Sequence, residues 1–262
     1  MSAEISFPRK AIVGMLHLPA LPGAPAARLS IAEIEQWALR DADALAAGGV
    51  DALLLENFGD APFFPDQVPS HTVAYITRIA QAVRSRFSLP LGINVLRNDA
   101  RAALAIAAAV GAQFIRVNIL TGARLTDQGL IQGQAHVLLR DRLLLNAHLA
   151  IWADVAVKHS VPLADRPLEE EIEDTLKRAH ASAIIVSGAA TGKATPIDRL
   201  RAAKLAAAAA PVYVGSGVHL DTVAEVLRIA DGVIVGSALK RDGIAANPVD
   251  PERVRSFVAA AR

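Results

Sequence analysis

The segment ADVAVKHS, residues 153–160, sets a carboxylate and an ammonium in an otherwise apolar run. Strand side chains alternate between faces, so the pattern predicts Asp154, Ala156 and Lys158 on one side. Arginine suits a fixed ion pair, whereas lysine can shift its pKa, move a proton or form an imine. Asp154 would orient that amine or act as the base, and Arg116 would hold its charge state. Polar residues also close the other apolar runs: His17, Glu56 with Asn57, Asn94 with Asn98, Arg116 with Asn118, then His159 and Ser187. Arg116 and Asn118 share a face by their even spacing. The catalytic candidates are thus His17, Glu56, Arg116, Asn118, Asp154 and Lys158. The candidates for substrate contact are Asn57, Asn94, Asn98, His159 and Ser187. Plainer readings stand beside these: Arg116 and Asp154 could be an internal ion pair, His17 a satisfied core histidine, and Asn94 and Asn118 ties between loops.

Two other runs end in glycine and serine, VYVGSGVHL and VIVGSALK. Glycine lets an anion approach the main chain, and free amides at a helix start point toward it. Gly215, Ser216, Gly217, Gly236 and Ser237 therefore form a candidate phosphate cup; its plain alternative is a pair of tight turns. A third turn, SGAATGK, adds Gly188 and Gly192 as residues that could cover the ligand. It is not a nucleotide P-loop, because its glycines are too close and Ala194 follows Lys193.

These residues need elements to hold them. Apolar runs begin at residues 11, 50, 89, 112, 150, 182, 211 and 231. Helical patterns follow each, over 30–47, 71–86, 99–110, roughly 132–146, 168–180, 196–209, 220–229 and 251–261. Ser30, Asp99 and Asp221 stand at N-cap positions, and Gly48, Gly49 and Gly111 at helix ends. Eight β-α units with near-continuous apolar strands predict an α/β fold, a (β/α)8 TIM barrel forming one domain over 1–262, with the barrel from about 10 to 260. The competing doubly wound sheet lacks its fingerprint, since Leu220 stands where GSGVHL would need a glycine. In a barrel, active sites gather at the C-terminal strand ends, and the loops after strands seven and eight seat phosphate. Unpaired ions inside a barrel cost several kcal/mol each. Charge confined to one end of the strands is therefore a sign of a site.

Composition narrows the function classes. The 262 residues are 53% hydrophobic and 20% charged, enough apolar material for a large core. Lys and Arg number 27 against 26 Asp and Glu, and aromatics are 4%, which argues against a nucleic-acid surface. Cysteine is absent, which removes disulfides, thiolate metal sites and a cysteine nucleophile, and fits a reducing, cytoplasmic setting. Arg9 and Lys10 before an apolar stretch imitate a signal peptide, but His17, Pro19 and Pro22 interrupt it; a first strand and loop is the better reading. No run is long enough to span a membrane. The stretch 57–69, with three phenylalanines and three prolines, is a long loop suited to a lid or a subunit contact.

Long motifs carry a family resemblance: IVGMLHLPALPG, GVDALLLENFGDAPF, GINVLRNDARAALAIA, FIRVNILTGARLTDQGLIQG, ADVAVKHS, IVSGAATG, VYVGSGV and DGVIVGSALKRDG. Together they span about Lys10 to Phe257, and the chain is similar to the BtpA/SgcQ family. The resemblance implies a TIM barrel of the ribulose-phosphate-binding type. It also implies shared positions at His17, Glu56, Asn57, Asp60, Asn94, Arg97, Asn98, Asp99, Arg116, Asn118, Asp154, Lys158, His159 and the glycine turns. The family takes its name from photosystem I biogenesis in cyanobacteria, and other members stand in sugar-related bacterial settings.

The expectation is an enzyme acting on a phosphorylated small molecule, a sugar phosphate or nucleotide-like compound, by isomerisation, aldol-type cleavage or a lyase step. No cofactor is required by the sequence. A divalent metal ion gathered by Glu56, Asp154 and His17 would favour hydrolysis instead, though carboxylates scattered over strands are weak ligand evidence. The rival expectation is a non-catalytic assembly or stability factor for a larger complex such as photosystem I. A homo-oligomer is expected in either case.

Overall fold

The computed structural model describes residues 7–188 and 195–262. Eight parallel strands close into a ring: β1 (Ala11–His17), β2 (Ala52–Glu56), β3 (Leu91–Asn94), β4 (Phe114–Val117), β7 (Ala150–Val155), β9 (Ala183–Val186), β10 (Val212–Val214) and β11 (Gly232–Val235). The remaining three, β5 (Ala123–Thr126), β6 (Gly129–Gln132) and β8 (Ser160–Pro162), form a separate antiparallel sheet. Ring order is β1-β11-β10-β9-β7-β4-β3-β2, so each barrel strand lies beside its predecessor among the eight. The barrel expected from element order is therefore present.

The helices are α1 (Ile31–Gly48), α2 (Ser70–Arg86), α3 (Ala100–Val110), α4 (Ala135–Leu144), α5 (Leu168–Glu173), α6 (Ile197–Ala206), α7 (Val223–Val226) and α8 (Pro251–Ala261). Ser30 starts α1 with a capping box: its backbone amide donates to Glu33 at 2.8 Å, while its hydroxyl accepts from the Glu33 amide. Gly49 stops the helix at φ 89°, a conformation that costs glycine little. Asp99 caps α3 by accepting from the Ala102 amide at 2.9 Å. The expectation at Asp221 fails. Helix α7 is four residues long, its N-cap is Thr222, and no side chain bonds its first amides.

Two apolar layers follow from strand alternation. Outward residues such as Leu53, Leu55, Ile93 and Ile115 pack under the helices. Inward residues, among them Val13, Met15, Leu54, Phe114, Trp152, Ile185, Tyr213 and Ile234, fill the barrel. Trp152 stacks between Phe114 and Tyr213, with centroids 4.1 Å away on each side. Each such ring adds about 1.5–3 kcal/mol of burial. The Phe114 ring needs Gly92 beside it, because a Cβ there would lie 2.2 Å from Phe114 Cε2. A Gly92→Ala change would push the ring out of the stack.

A candidate anion site at the barrel mouth

One step beyond the apolar filling, the inward positions change character together. Met15 gives way to His17, Leu54 to Glu56, Phe114 to Arg116, Trp152 to Asp154 and Ile185 to Ser187, each two residues further along its strand. Gly92 likewise gives way to Asn94, while Tyr213 and Ile234 lead to Gly215 and Gly236. His17, Glu56 and Asn94 are direct neighbours in the register of β1, β2 and β3. Each strand therefore contributes to one ring of polar side chains and gaps at its C-terminal end.

The charged side chains of this ring are held by short hydrogen bonds. Arg116 donates from Nε and Nη2 to the two Asp154 oxygens, both at 2.8 Å. Asn118 Nδ2 adds a third bond to Asp154 at 3.1 Å, and Ser187 Oγ a long fourth at 3.4 Å. Asp154 thus fixes Arg116 and Asn118, and its oxygens are too engaged for the role of free base. Glu56 accepts from Asn94 Nδ2 at 2.6 Å and lies 4.0 Å from Arg116 Nη1.

His17 is a neutral acceptor. Burial depresses its pKa to about 4, against an opposing pull from Glu56. Its Nδ1–H donates to the Ala245 carbonyl at 3.3 Å, and the ring stacks on Phe58 at 4.5 Å. The Nε2 lone pair therefore faces Glu56 Oε1 at 3.8 Å with no ion pair between them. A histidine so weakly basic makes a poor proton acceptor near neutral pH.

Lys158 reaches this ring by a different route from the one expected. Strand β7 ends at Val155, and Ala156 turns the chain at φ 50°, so alternation does not extend to Lys158. The turn nevertheless brings its amine within the fields of Arg116, Glu56, Asp154 and Arg97. Burial first and Arg116 second lower its pKa, while the two carboxylates oppose them. His159, at φ 54°, lies on the exposed side of the same turn.

Asn57 and Asn98 serve the scaffold. Asn57 Oδ1 accepts from the Leu96 amide at 2.7 Å, and its Nδ2 donates to Asp60 at 3.0 Å. Asn98 grips Ile119 twice, accepting from its amide at 2.8 Å and donating to its carbonyl at 2.9 Å. Among the described residues Asn118 Oδ1, Arg97 Nε and Ser216 Oγ are buried with no hydrogen-bond partner. The family resemblance includes Arg97 among its shared positions, but the strand pattern gave it no role, since it lies just beyond strand three.

The glycine turns have a simpler geometry than the sequence suggested. A Cβ at Gly215 would meet Ile185 Cγ2 at 2.5 Å, Ser187 Oγ at 2.9 Å and Arg116 Nη2 at 3.4 Å; one at Gly236 would meet His17 Cε1 at 2.6 Å. These glycines make room for polar neighbours. Gly217 takes φ 70°, and Ser237 opens only a three-residue 3-10 turn. With α7 also short, no long helix start backs the cup. Gly188 is buried two residues past β9, and Gly192 lies outside the described residues. Among the described residues no group of three or more His, Asp or Glu side chains could hold a metal ion, so Glu56, Asp154 and His17 are not gathered as a ligand set.

A cavity of about 950 Å³ opens at the opposite, N-terminal end, lined by Phe7, Trp152, His180 and Tyr213 among others. None of the candidate residues lines it, and the polar ring carries the chemistry. No helix among the described residues is long and apolar enough to cross a membrane.

Comparison with known proteins agrees with this architecture. The chain is similar to N-(5'-phosphoribosyl)anthranilate isomerase from Pyrococcus furiosus, with TM-score 0.57 and 16% identity over 96% of this chain and 98% of that one. It is also similar to thiamine phosphate pyrophosphorylase from the same organism, with TM-score 0.58 and 15% identity over 96% and 95%. Identities this low carry the TIM-barrel fold alone. Sequence relatives are far nearer. The photosystem I biogenesis protein BtpA of Synechocystis is 46% identical over 95% of this chain and 87% of its own. An uncharacterized protein of Thermococcus kodakarensis is 46% identical over 98% and 97%. The model of the BtpA family matches residues 8–262, and the chain belongs to that family.

Proposed function

We propose that the barrel mouth binds a phosphorylated small molecule, a sugar phosphate or nucleotide-like compound, and transforms it by an isomerase- or lyase-type step. The observation that carries this reading is Lys158: a largely buried amine with a lowered pKa, beside a ring whose other charges are already paired. An amine of that kind has a larger neutral fraction near neutral pH than an exposed lysine, which suits proton transfer or imine formation. Asp154 would act through Arg116 and Asn118 by positioning them. Glu56 is the carboxylate left with a free oxygen, since only Oε2 is hydrogen-bonded to Asn94. The phosphate would sit beside Gly215, Ser216, Gly217, Gly236 and Ser237. Support comes from the buried, unpartnered Ser216 Oγ and from neighbours whose names include phosphorylated compounds.

A melting-shift screen of phosphorylated metabolites tests the binding step. Trapping with borohydride and candidate aldehydes or ketones tests the imine, which would leave added mass on Lys158. Binding without turnover would leave the second reading, an assembly factor for a larger complex. That reading is favoured by the name of the Synechocystis relative. We also propose a cytoplasmic setting, supported by the absence of cysteine. Homo-oligomerisation is proposed too, supported by the row Leu130–Leu125–Val161. These residues are registered across the antiparallel sheet and are 45%, 50% and 57% exposed. Light scattering of Leu125→Asp against the parent chain tests it.

A further inference from the structure

Arg97 is 5% exposed, and among the described residues its side chain makes one hydrogen bond, from Nη2 to the Lys158 carbonyl at 2.8 Å. Its Nε is buried with no partner among the described residues. Among the described residues no carboxylate lies within the 4.0 Å ion-pair distance of Arg97 or of Lys158. Asp127, whose charge reaches Arg97, is exposed to solvent on the β5–β6 turn. Among the described residues the mouth thus sets the guanidinium groups of Arg97 and Arg116, with the Lys158 amine nearby, against the carboxylates of Glu56 and Asp154. Arg116 is matched to Asp154, and His17 is neutral. A buried guanidinium with no carboxylate beside it is costly unless an anion supplies the balance.

Its place in the ring matters. Arg97 follows β3, which lies four positions from β10 in the eight-strand order and hence across the mouth from Gly215. Its guanidinium reaches the Lys158 carbonyl after β7, two positions from β10, so an anion at Arg97 would lie on the β3–β7 side of the mouth. We propose that Arg97 seats a second oxyanion of the same small molecule, so that the ligand is anionic at both ends: a phosphorylated carboxylic acid or a bisphosphate. This rests on the phosphate reading above for the first anion, while the second stands on Arg97 itself.

Calorimetric titration with three six-carbon probes tests it. Sorbitol 6-phosphate has one anionic end, 6-phosphogluconate adds a carboxylate, and fructose 1,6-bisphosphate adds a phosphate. The parent chain should bind one of the two-anion probes about tenfold tighter than sorbitol 6-phosphate, the usual worth of a charged hydrogen bond. The preferred probe identifies the second oxyanion. Arg97→Met should remove that preference and leave sorbitol 6-phosphate within about twofold of its parent value. Arg97→Lys, which keeps a cation should the methionine variant not fold, should lose part of the preference. A preference that survives in a folded Arg97→Met, or in Arg97→Lys at full strength, overturns the second seat and leaves the phosphate reading standing. Equal binding of all three probes by the parent chain also overturns it. Tight two-anion binding lost in Arg97→Met, with no binding of sorbitol 6-phosphate, supports the second seat and removes the glycine-turn reading. No binding of any probe overturns both.

Discussion

Arg116 holds Asp154 by both oxygens, at 2.8 Å each, with the two side chains 3% and 1% exposed. Such a pair gains little over a well-packed apolar substitute, but breaking it strands a buried charge. Arg116→Met should cost about 3–5 kcal/mol in urea unfolding. The double variant Arg116→Met with Asp154→Leu should recover much of that loss. A single variant as stable as the parent would show that the pair is not buried as described.

The His17 pKa, lowered from 6.5 to about 4, links stability to pH. Between those values the unfolded chain binds a proton that the folded chain refuses, so stability rises with pH across the window. The contribution is complete above about pH 6.5 and is lost as pH falls toward 4. It amounts to about 3 kcal/mol at most, from the size of the shift. His17→Gln should flatten the stability profile over this range, measured by urea unfolding at stepped pH. An unchanged slope would mean that another group carries it.

Below the mouth, Lys240 Nζ donates to Asp41 Oδ2 at 2.5 Å, and the other Asp41 oxygen accepts from the Val249 amide at 2.8 Å. Both side chains are buried, so α1 is locked to the segment after β11. Lys240→Met should lower the melting temperature by roughly 10 °C, the equivalent of an unpaired buried carboxylate in a chain of this size. Calorimetry reads it directly, and a shift under a few degrees would contradict the account.

The barrel was legible because its eight apolar runs each recur before a helical pattern, and because polar residues stood at only one end of them. The ring at His17, Glu56, Asn94, Arg116, Asp154 and Ser187 follows from strand alternation and could be read residue by residue. Lys158 could not. Its strand stops at Val155, and the positive φ at Ala156 belongs to a turn that neither glycine nor asparagine announces. The antiparallel sheet was missed because its strands are three or four residues long, too short for a period to show. Its β5–β6 turn, Asp127–Gln128 before Gly129, lacks the Asn-Gly or Asp-Gly pair that signals a hairpin. Asp41 and Lys240 are 199 positions apart, and no local pattern links them.

Lys158 carries the central claim, that the mouth is kept for a ligand at some expense in stability. An amine with a lowered folded-state pKa disfavours folding wherever it must stay charged, and an apolar replacement removes that term. Unfolding and melting-shift measurements on Lys158→Met and its parent, over one panel of phosphorylated metabolites, test this most directly. The variant should be at least as stable as the parent and lose the shift that one or more compounds give the parent chain. A variant clearly less stable than the parent, with the parent silent across the panel, would make Lys158 a structural residue and contradict the account.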